Sequence, residues 1–279
     1  MSTNKRSSPA DNFVLIRGGG DLATGVALRL HRAGMRVVIS ELAQPLAVRR
    51  TVSFSEAVYE GQHTVEGVTA RLIEASQLSA WNEADEIPIL IDPNADILSS
   101  FLFPVVIDAR LIKQPPVPLP VDVPLHIGLG PGFTAGSDCH AVIETRRSHT
   151  LGRVYWTGTT QPDSGEPEGD PRRVLRAPNA GVIIAHTKIG DRLITGQLIA
   201  EIKSEIEDQR FEIKSPFAGI LRGLIRGGLY VSKGVKIGDI DARDDVSACY
   251  LVSDKALAIG GAVLEAILSK NEIRARLFS

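Results

Sequence analysis

The apolar positions along the chain follow two regimes. Through the first half, short unbroken apolar runs recur: Val14-Leu15-Ile16, Val37-Val38-Ile39, IPILI at 87–91 and Val105-Val106-Ile107. Runs of this kind read as strands covered on both faces, as in a parallel sheet. ARLIEA (70–75) reads as one more strand. Between the first two runs Leu22, Val26 and Leu30, with Ala23 and Ala27 beside them, keep helical spacing until Ala33-Gly34 ends the helix. SQLSAWNEAD (76–85) and ADILSSF (95–101) are predicted as further helices, and AVIE (141–144) as a short strand. The alternation predicts an α/β unit, a Rossmann-like parallel sheet over residues 13–158. KQPPVPLPVDVP (113–124) is too proline-dense for helix or central strand and is predicted as an extended surface connection.

From residue 174 the pattern changes. RAPNAGVIIAHTKIGDRLITGQLIAEI and KSPFAGILRGLIRGGLYVSKGVKIGDI each carry a Pro-x-x-Gly turn, short apolar strands and a further glycine loop. The pair resembles the barrel-sandwich hybrid of biotinyl and lipoyl domains, which predicts an all-β barrel over 174–243. Those carriers present a modified lysine between the halves. Here Lys203 opens the hairpin KSEIEDQR without the flanking residues of the carriers, so no biotin or lipoyl group is expected on it. TTQPDSGEPEGDPRR (159–173) is acidic and rich in Pro and Gly, a linker between the two units. KALAIGGAVLEAILSK (255–270) has amphipathic spacing, and 244–279 is predicted to supply a C-terminal helix that packs on the first domain. Residues 1–12 are polar and read as a disordered lead-in.

Composition narrows the class. The 279 residues are 43% hydrophobic and 23% charged, with a formal net charge of −2, enough apolar material for a real core and no general attraction for nucleic acid or an anionic membrane. No apolar run approaches the roughly 20 residues that span a bilayer. The two cysteines, Cys139 and Cys249, follow neither disulfide nor zinc spacing. A cytoplasmic protein with no metal site is expected.

Candidate chemistry gathers at two places. Gly18-x-Gly20-x-x-Ala23, with Gly19 between, follows the first strand and opens the first helix, and Glu41 lies 21 residues after Gly20, where an acid accepts bonds from ribose hydroxyls. Asp21 stands where a pyrophosphate would rest, and serves equally as a helix cap. Asp92 and Asp108 end two strands and are expected at the ligand-binding edge, with Arg49 and Arg50 near them to face a phosphate. The second place is 124–153, where Gly130 and Gly132 flank Pro131 and His140, Glu144, Arg146, Arg147 and His149 follow within ten residues. His140, Glu144 and His149 are the candidates for proton transfer. A nucleotide or dinucleotide-type cofactor is expected at the first place.

GGGDLATG, RRTVSFSEAVYEG, GLGPGFTAG, ETRRSHTLGRV, RVLRAP and KIGDIDAR, in this order over about residues 12–270, are similar to the YqeB-type family. The resemblance implies an accessory or maturation protein of selenium-dependent molybdenum hydroxylases, with such an enzyme or its maturation machinery as partner. Ser148 stands where the family has glycine before the histidine, and Ala242 where it has proline. Two further functions fit the residues: an NAD(P)-dependent oxidoreductase, and a non-catalytic scaffold with a vestigial nucleotide site.

Overall fold

The computed structural model describes residues 12–165, 169–204 and 209–278. The expected lead-in lies almost wholly outside them, as do 166–168 of the expected linker and 205–208 of the hairpin after Lys203. In chain order the first unit contains β1 (Phe13–Arg17), α1 (Asp21–Arg32), β2 (Arg36–Glu41), the short α2 (Ala57–Glu60), β3 (Gln62–Val65), β4 (Val68–Leu72), β5 (Glu86–Ile91), β6 (Val105–Asp108), β7 (Leu125–Leu129), β8 (Thr134–Ala135), β9 (Ala141–Ile143), β10 (Val154–Tyr155) and β11 (Gly158–Thr159). The second contains β12 (Val174–Arg176), β13 (Gly181–Ala185), β14 (Arg192–Leu193), β15 (Leu198–Lys203), β16 (Arg210–Lys214), β17 (Gly219–Leu224), β18 (Tyr230–Val231) and β19 (Lys236–Asp241). Helices α3 (Asp254–Leu268) and α4 (Asn271–Leu277) close the chain.

The expected parallel sheet is corrected to a mixed one of nine strands, in the order β10-β9-β7-β6-β1-β2-β5-β4-β3. The seven inner strands run parallel, while β3 and β10 are antiparallel to their neighbours. At one edge the cause is local. Glu66 (φ 47°) and Gly67 (φ 84°) are both left-handed, which makes the tight turn that joins antiparallel strands. The sheet is also not doubly wound. The predicted helix at 76–85 is only a 3₁₀ turn, Ala75–Ala80, and that at 95–101 is another, Asp96–Ser99. Leu78 is the one fully buried residue of the first turn, so no apolar stripe exists to hold an α-helix. One sheet face packs on α1, α3 and α4. The other is covered by these turns and by loops around Phe13, Leu15, Val38, Phe103 and Val106.

The expected barrel-sandwich hybrid is corrected to two separate four-stranded antiparallel sheets, β12-β19-β17-β14 and β16-β15-β13-β18, over one apolar core. The halves are not self-contained hairpins. β14 of the first half pairs with β17 of the second, and β18 of the second pairs with β13 of the first.

After β19 the chain returns, and α3 lies across α1 at close range. A Cβ on Gly25 would stand 2.7 Å from the Ala256 backbone, and one on Gly260 would stand 2.7 Å from the Gly25 carbonyl oxygen. The two units are also tied side to side. Arg50 donates to the Leu224 carbonyl (2.8 Å) and Glu56, buried, accepts from Arg50 (3.2 Å) and Arg226 (2.7 Å). Among the described residues no helix is long and apolar enough to cross a membrane.

Candidate functional site: a basic cleft between the two units

Four parallel neighbours, β1, β2, β5 and β6, bring their carboxyl ends to one edge, and with them Arg17, the glycine turn, Glu41, Asp92 and Asp108. A cavity of about 270 Å³ there is lined by Gly18, Gly20, Glu41, Ser55 and Asp92 among others. The acids at this edge are occupied by the protein itself. Glu41 accepts from the Gly19 amide (2.8 Å) and the Leu42 amide (2.5 Å); burial pushes its carboxyl above the usual range, against those two bonds. Asp92 caps the turn after β5, accepting from the Asp96 (2.8 Å) and Ile97 (3.0 Å) amides. Asp108 is fully buried and bonds Arg110 (2.5 and 2.8 Å) and Arg17 (3.3 Å). Over the turn itself lies the segment around Ser55, whose amide donates to the Gly19 carbonyl at 2.8 Å. A Cβ on Gly19 would stand 2.9 Å from that nitrogen, so this glycine admits the protein's own backbone. Ala23 is buried in the core.

The expected catalytic trio does not converge. His140 is exposed and accepts the His126 amide on Nδ1 (2.9 Å), and His149 is exposed; neither lines the edge cavity or the larger cleft described below. Glu144 does reach that cleft, but its oxygens accept from the backbone of Arg146 (2.7 Å) and Gln161 (2.8 Å), so it shapes the loop. Gly130 and Gly132 serve packing: a Cβ on Gly132 would stand 2.4 Å from the Ile112 carbonyl oxygen. Cys139 is buried, which pushes its thiol up to about 11 and leaves it protonated. Among the described residues no group of three or more His, Cys, Asp or Glu is placed to hold a metal.

A larger cavity, about 1410 Å³, opens between the two units. Its wall comes from the start of α1 (Gly20, Asp21), from Arg49, from Glu144–Arg147, from the described parts of 161–173, from β17 and β19, and from 248–255. Eleven basic side chains line it against eight acidic ones, the reverse of the chain as a whole, which has 31 basic and 33 acidic residues. At its centre Asp239, almost wholly buried, accepts from Arg173 (2.5 Å) and Arg222, with Lys236 at 3.6 Å. Asp241 bonds Arg243 (2.6 Å), which holds its carboxyl down to about 2. Arg49 lies nine-tenths buried, donates to the carbonyls of Ala248 and Leu251 (3.0 Å each) and faces Asp21 at 3.7 Å. Its Nε has no partner among the described residues, and burial lowers its pKa against the pull of Asp21. The Arg146 side chain is exposed to the cleft and makes no hydrogen bond or ion pair within 4 Å among the described residues, though its charge acts on Asp163 across the cleft. Arg50, expected beside Arg49, instead ties the two units as described above.

Arg173, Arg222, Lys236 and Asp239 are therefore the residues that sequence reasoning missed. One signal was available. Arg222 stands within ILRGL and Asp239 within KIGDID, charges set into otherwise apolar strand runs, where a buried charge needs a partner.

Fold and cleft together define a two-unit protein, a mixed α/β sheet joined to a two-sheet β unit across a basic cleft. By sequence it is a relative of the uncharacterized protein YqeB of Escherichia coli (strain K12), 46% identical over 270 residues. The match takes in 95% of this chain and 49% of YqeB, so the chain spans about half the length of that curated relative. No protein-family model matches. Among solved structures, similarity is found to an aspartoacylase family protein from Mesorhizobium loti (14% identity, 82% of this chain, 84% of that one, TM-score 0.28). It extends to the ectoine utilization protein EutE (DoeB) from Ruegeria pomeroyi (12%, 82% and 85%, TM-score 0.27). It also includes a succinylglutamate desuccinylase/aspartoacylase from Rhodobacter sphaeroides (17%, 32% and 30%, TM-score 0.24). At these scores the likeness assigns neither fold nor reaction here. The expectation of a molybdenum-hydroxylase maturation factor binding a nucleotide-type cofactor is corrected. The curated relative is named only as an uncharacterized protein, and the acid expected to hold a ribose is spent on the glycine turn. The oxidoreductase and vestigial-scaffold alternatives, which rest on the same nucleotide site, are withdrawn with it.

Proposed function

We propose that the chain binds a small, multiply anionic molecule, bearing carboxylate or phosphate groups, in the cleft between its two units. The observation that carries this is the excess of basic side chains on the wall of a 1410 Å³ cleft in a chain of net charge −2. A concave wall with an excess of one sign focuses that field and concentrates counter-ions of the other. Several acids of that wall are committed to orienting cations, as Asp239 orients Arg173 and Arg222, or to backbone, as Glu144 is. The Arg146 guanidinium remains to meet a ligand.

Calorimetric titration with citrate, pyrophosphate and 2-oxoglutarate tests the reading. At least one should bind, and Arg146→Glu should weaken it tenfold or more while Arg274→Glu, on α4 and outside the cleft, leaves it unchanged. Absence of binding by all three, or equal weakening by both variants, overturns it.

A further inference from the structure

Lys236 has a position that neither the fold nor anion binding requires. It opens β19 and lines the cleft, with its side chain 39% exposed. Its acidic partner is shared. Asp239 already accepts from Arg173 and Arg222 at hydrogen-bond distance, and the Lys236 amine stands further off at 3.6 Å. The main charges that act on the amine come from four elements of the cleft wall. Asp239 on the same strand and Asp21 at the start of α1 favour its charge; Arg173 before β12 and Arg222 on β17 oppose it. Burial is the largest influence and also opposes it, so the balance lowers the pKa below the ordinary lysine value. Desolvation and neighbouring cations are the two means by which proteins raise the unprotonated, nucleophilic share of a lysine amine.

We propose that Lys236 is a nucleophilic amine that forms an imine with the carbonyl carbon of an anionic ligand, a 2-oxo acid, bound in the cleft. The inference rests on the anion-binding reading above and names the class of ligand for it. The ammonium first gives its proton to cleft water. The amine lone pair then attacks the carbonyl carbon, the C=O π pair moves to oxygen, and one proton passes from nitrogen to oxygen to give a carbinolamine. Loss of that hydroxyl as water, with the nitrogen lone pair closing the C=N bond, gives the imine. Nothing is oxidised or reduced, and the balance is amine plus carbonyl to imine plus water. The ligand carboxylates stay on the basic wall, to which Arg146 contributes. Lys113 and Lys255 line the same cleft, and peptide mapping distinguishes an adduct on either from one on Lys236.

The test is trapping. The full chain is incubated with 2-oxoglutarate and sodium borohydride, which reduces a C=N bond to a stable secondary amine, and is read by intact mass and peptide mapping. One adduct on Lys236 is expected. Its rate of formation should be half-maximal at a pH below the ordinary lysine range, and Lys236→Arg, which keeps the charge beside Asp239, should abolish it. Glutarate, which has the two carboxylates but no carbonyl, is titrated in parallel against wild type and Lys236→Arg. If glutarate binds both proteins and no adduct forms with 2-oxoglutarate, the imine proposal fails and the anion cleft stands. If glutarate does not bind and no adduct forms, the imine proposal fails, and the anion cleft is judged by the three titrations above. Adducts spread over surface lysines, or persisting in Lys236→Arg, also overturn the assignment.

Discussion

At the scale of single residues, His126 is the most consequential group that carries no candidate chemistry. It stands in β7, buried edge-on against Phe133 (86° between rings), and its Nε2 has no partner among the described residues. Burial lowers its pKa to about 4. The folded protein therefore holds His126 neutral between about pH 6.5 and 4, where the unfolded chain takes up a proton. Stability falls as pH drops through that window, by about 2 kcal/mol between pH 7 and pH 5 for this one group. Urea unfolding at the two pH values should show that loss in wild type and a smaller one in His126→Leu. Neither this histidine nor the buried charges were legible from sequence. LHIGL reads as an apolar strand whatever its histidine does, and the partners of Arg17 and Asp239 are distant along the chain. The glycine turn was legible as a turn, because strand, glycines and helix come in order. Its ligand was misjudged, because the segment that closes it arrives more than thirty residues later.

At the scale of elements, the clearest demand is the crossing of α1 and α3. Both helices carry glycine where helix propensity disfavours it by about 1 kcal/mol relative to alanine. Gly25 and Gly260 are explained by contact, since each lies against the backbone or Cβ of the other helix. Gly261, next in sequence, has nothing within 4 Å of a built Cβ. Gly25→Ala should therefore destabilise by about 1–3 kcal/mol through overpacking, while Gly261→Ala should stabilise by up to about 1 kcal/mol. Chemical denaturation of the two variants decides between them, and an equal response would mean that the crossing is not tight. The period of α3 was readable because Ile259, Val263, Ala266 and Ile267 mark its buried face. The segments at 76–85 and 95–101 were not, because so short a stretch with few apolar residues reads alike as α-helix or 3₁₀ turn.

At the scale of the whole molecule, average charge conceals the arrangement. A net charge of −2 predicts indifference to anions, yet folding leaves a basic excess, eleven side chains against eight acidic ones, on one concave wall. Binding there should weaken steeply with ionic strength, since screening shortens the reach of exposed charges to about 8 Å at 0.15 M salt and about 3 Å at 1 M. Titration of the best-bound anion at both salt levels should show a clear loss; an affinity that does not change would locate the ligand away from the charged wall. The path of the chain has another consequence. β12 enters the second unit and β19 leaves it, and the two are neighbours in one sheet, with Val174 opposite Asp239. The ends of the inserted unit thus lie about 5 Å apart, the spacing of paired strands. Such an insertion is a cassette. A gene that gained, lost or exchanged it would need only a short splice to keep the nine-stranded sheet and its returning helix continuous. The cleft, which needs both walls, is the feature that such an exchange would rewrite.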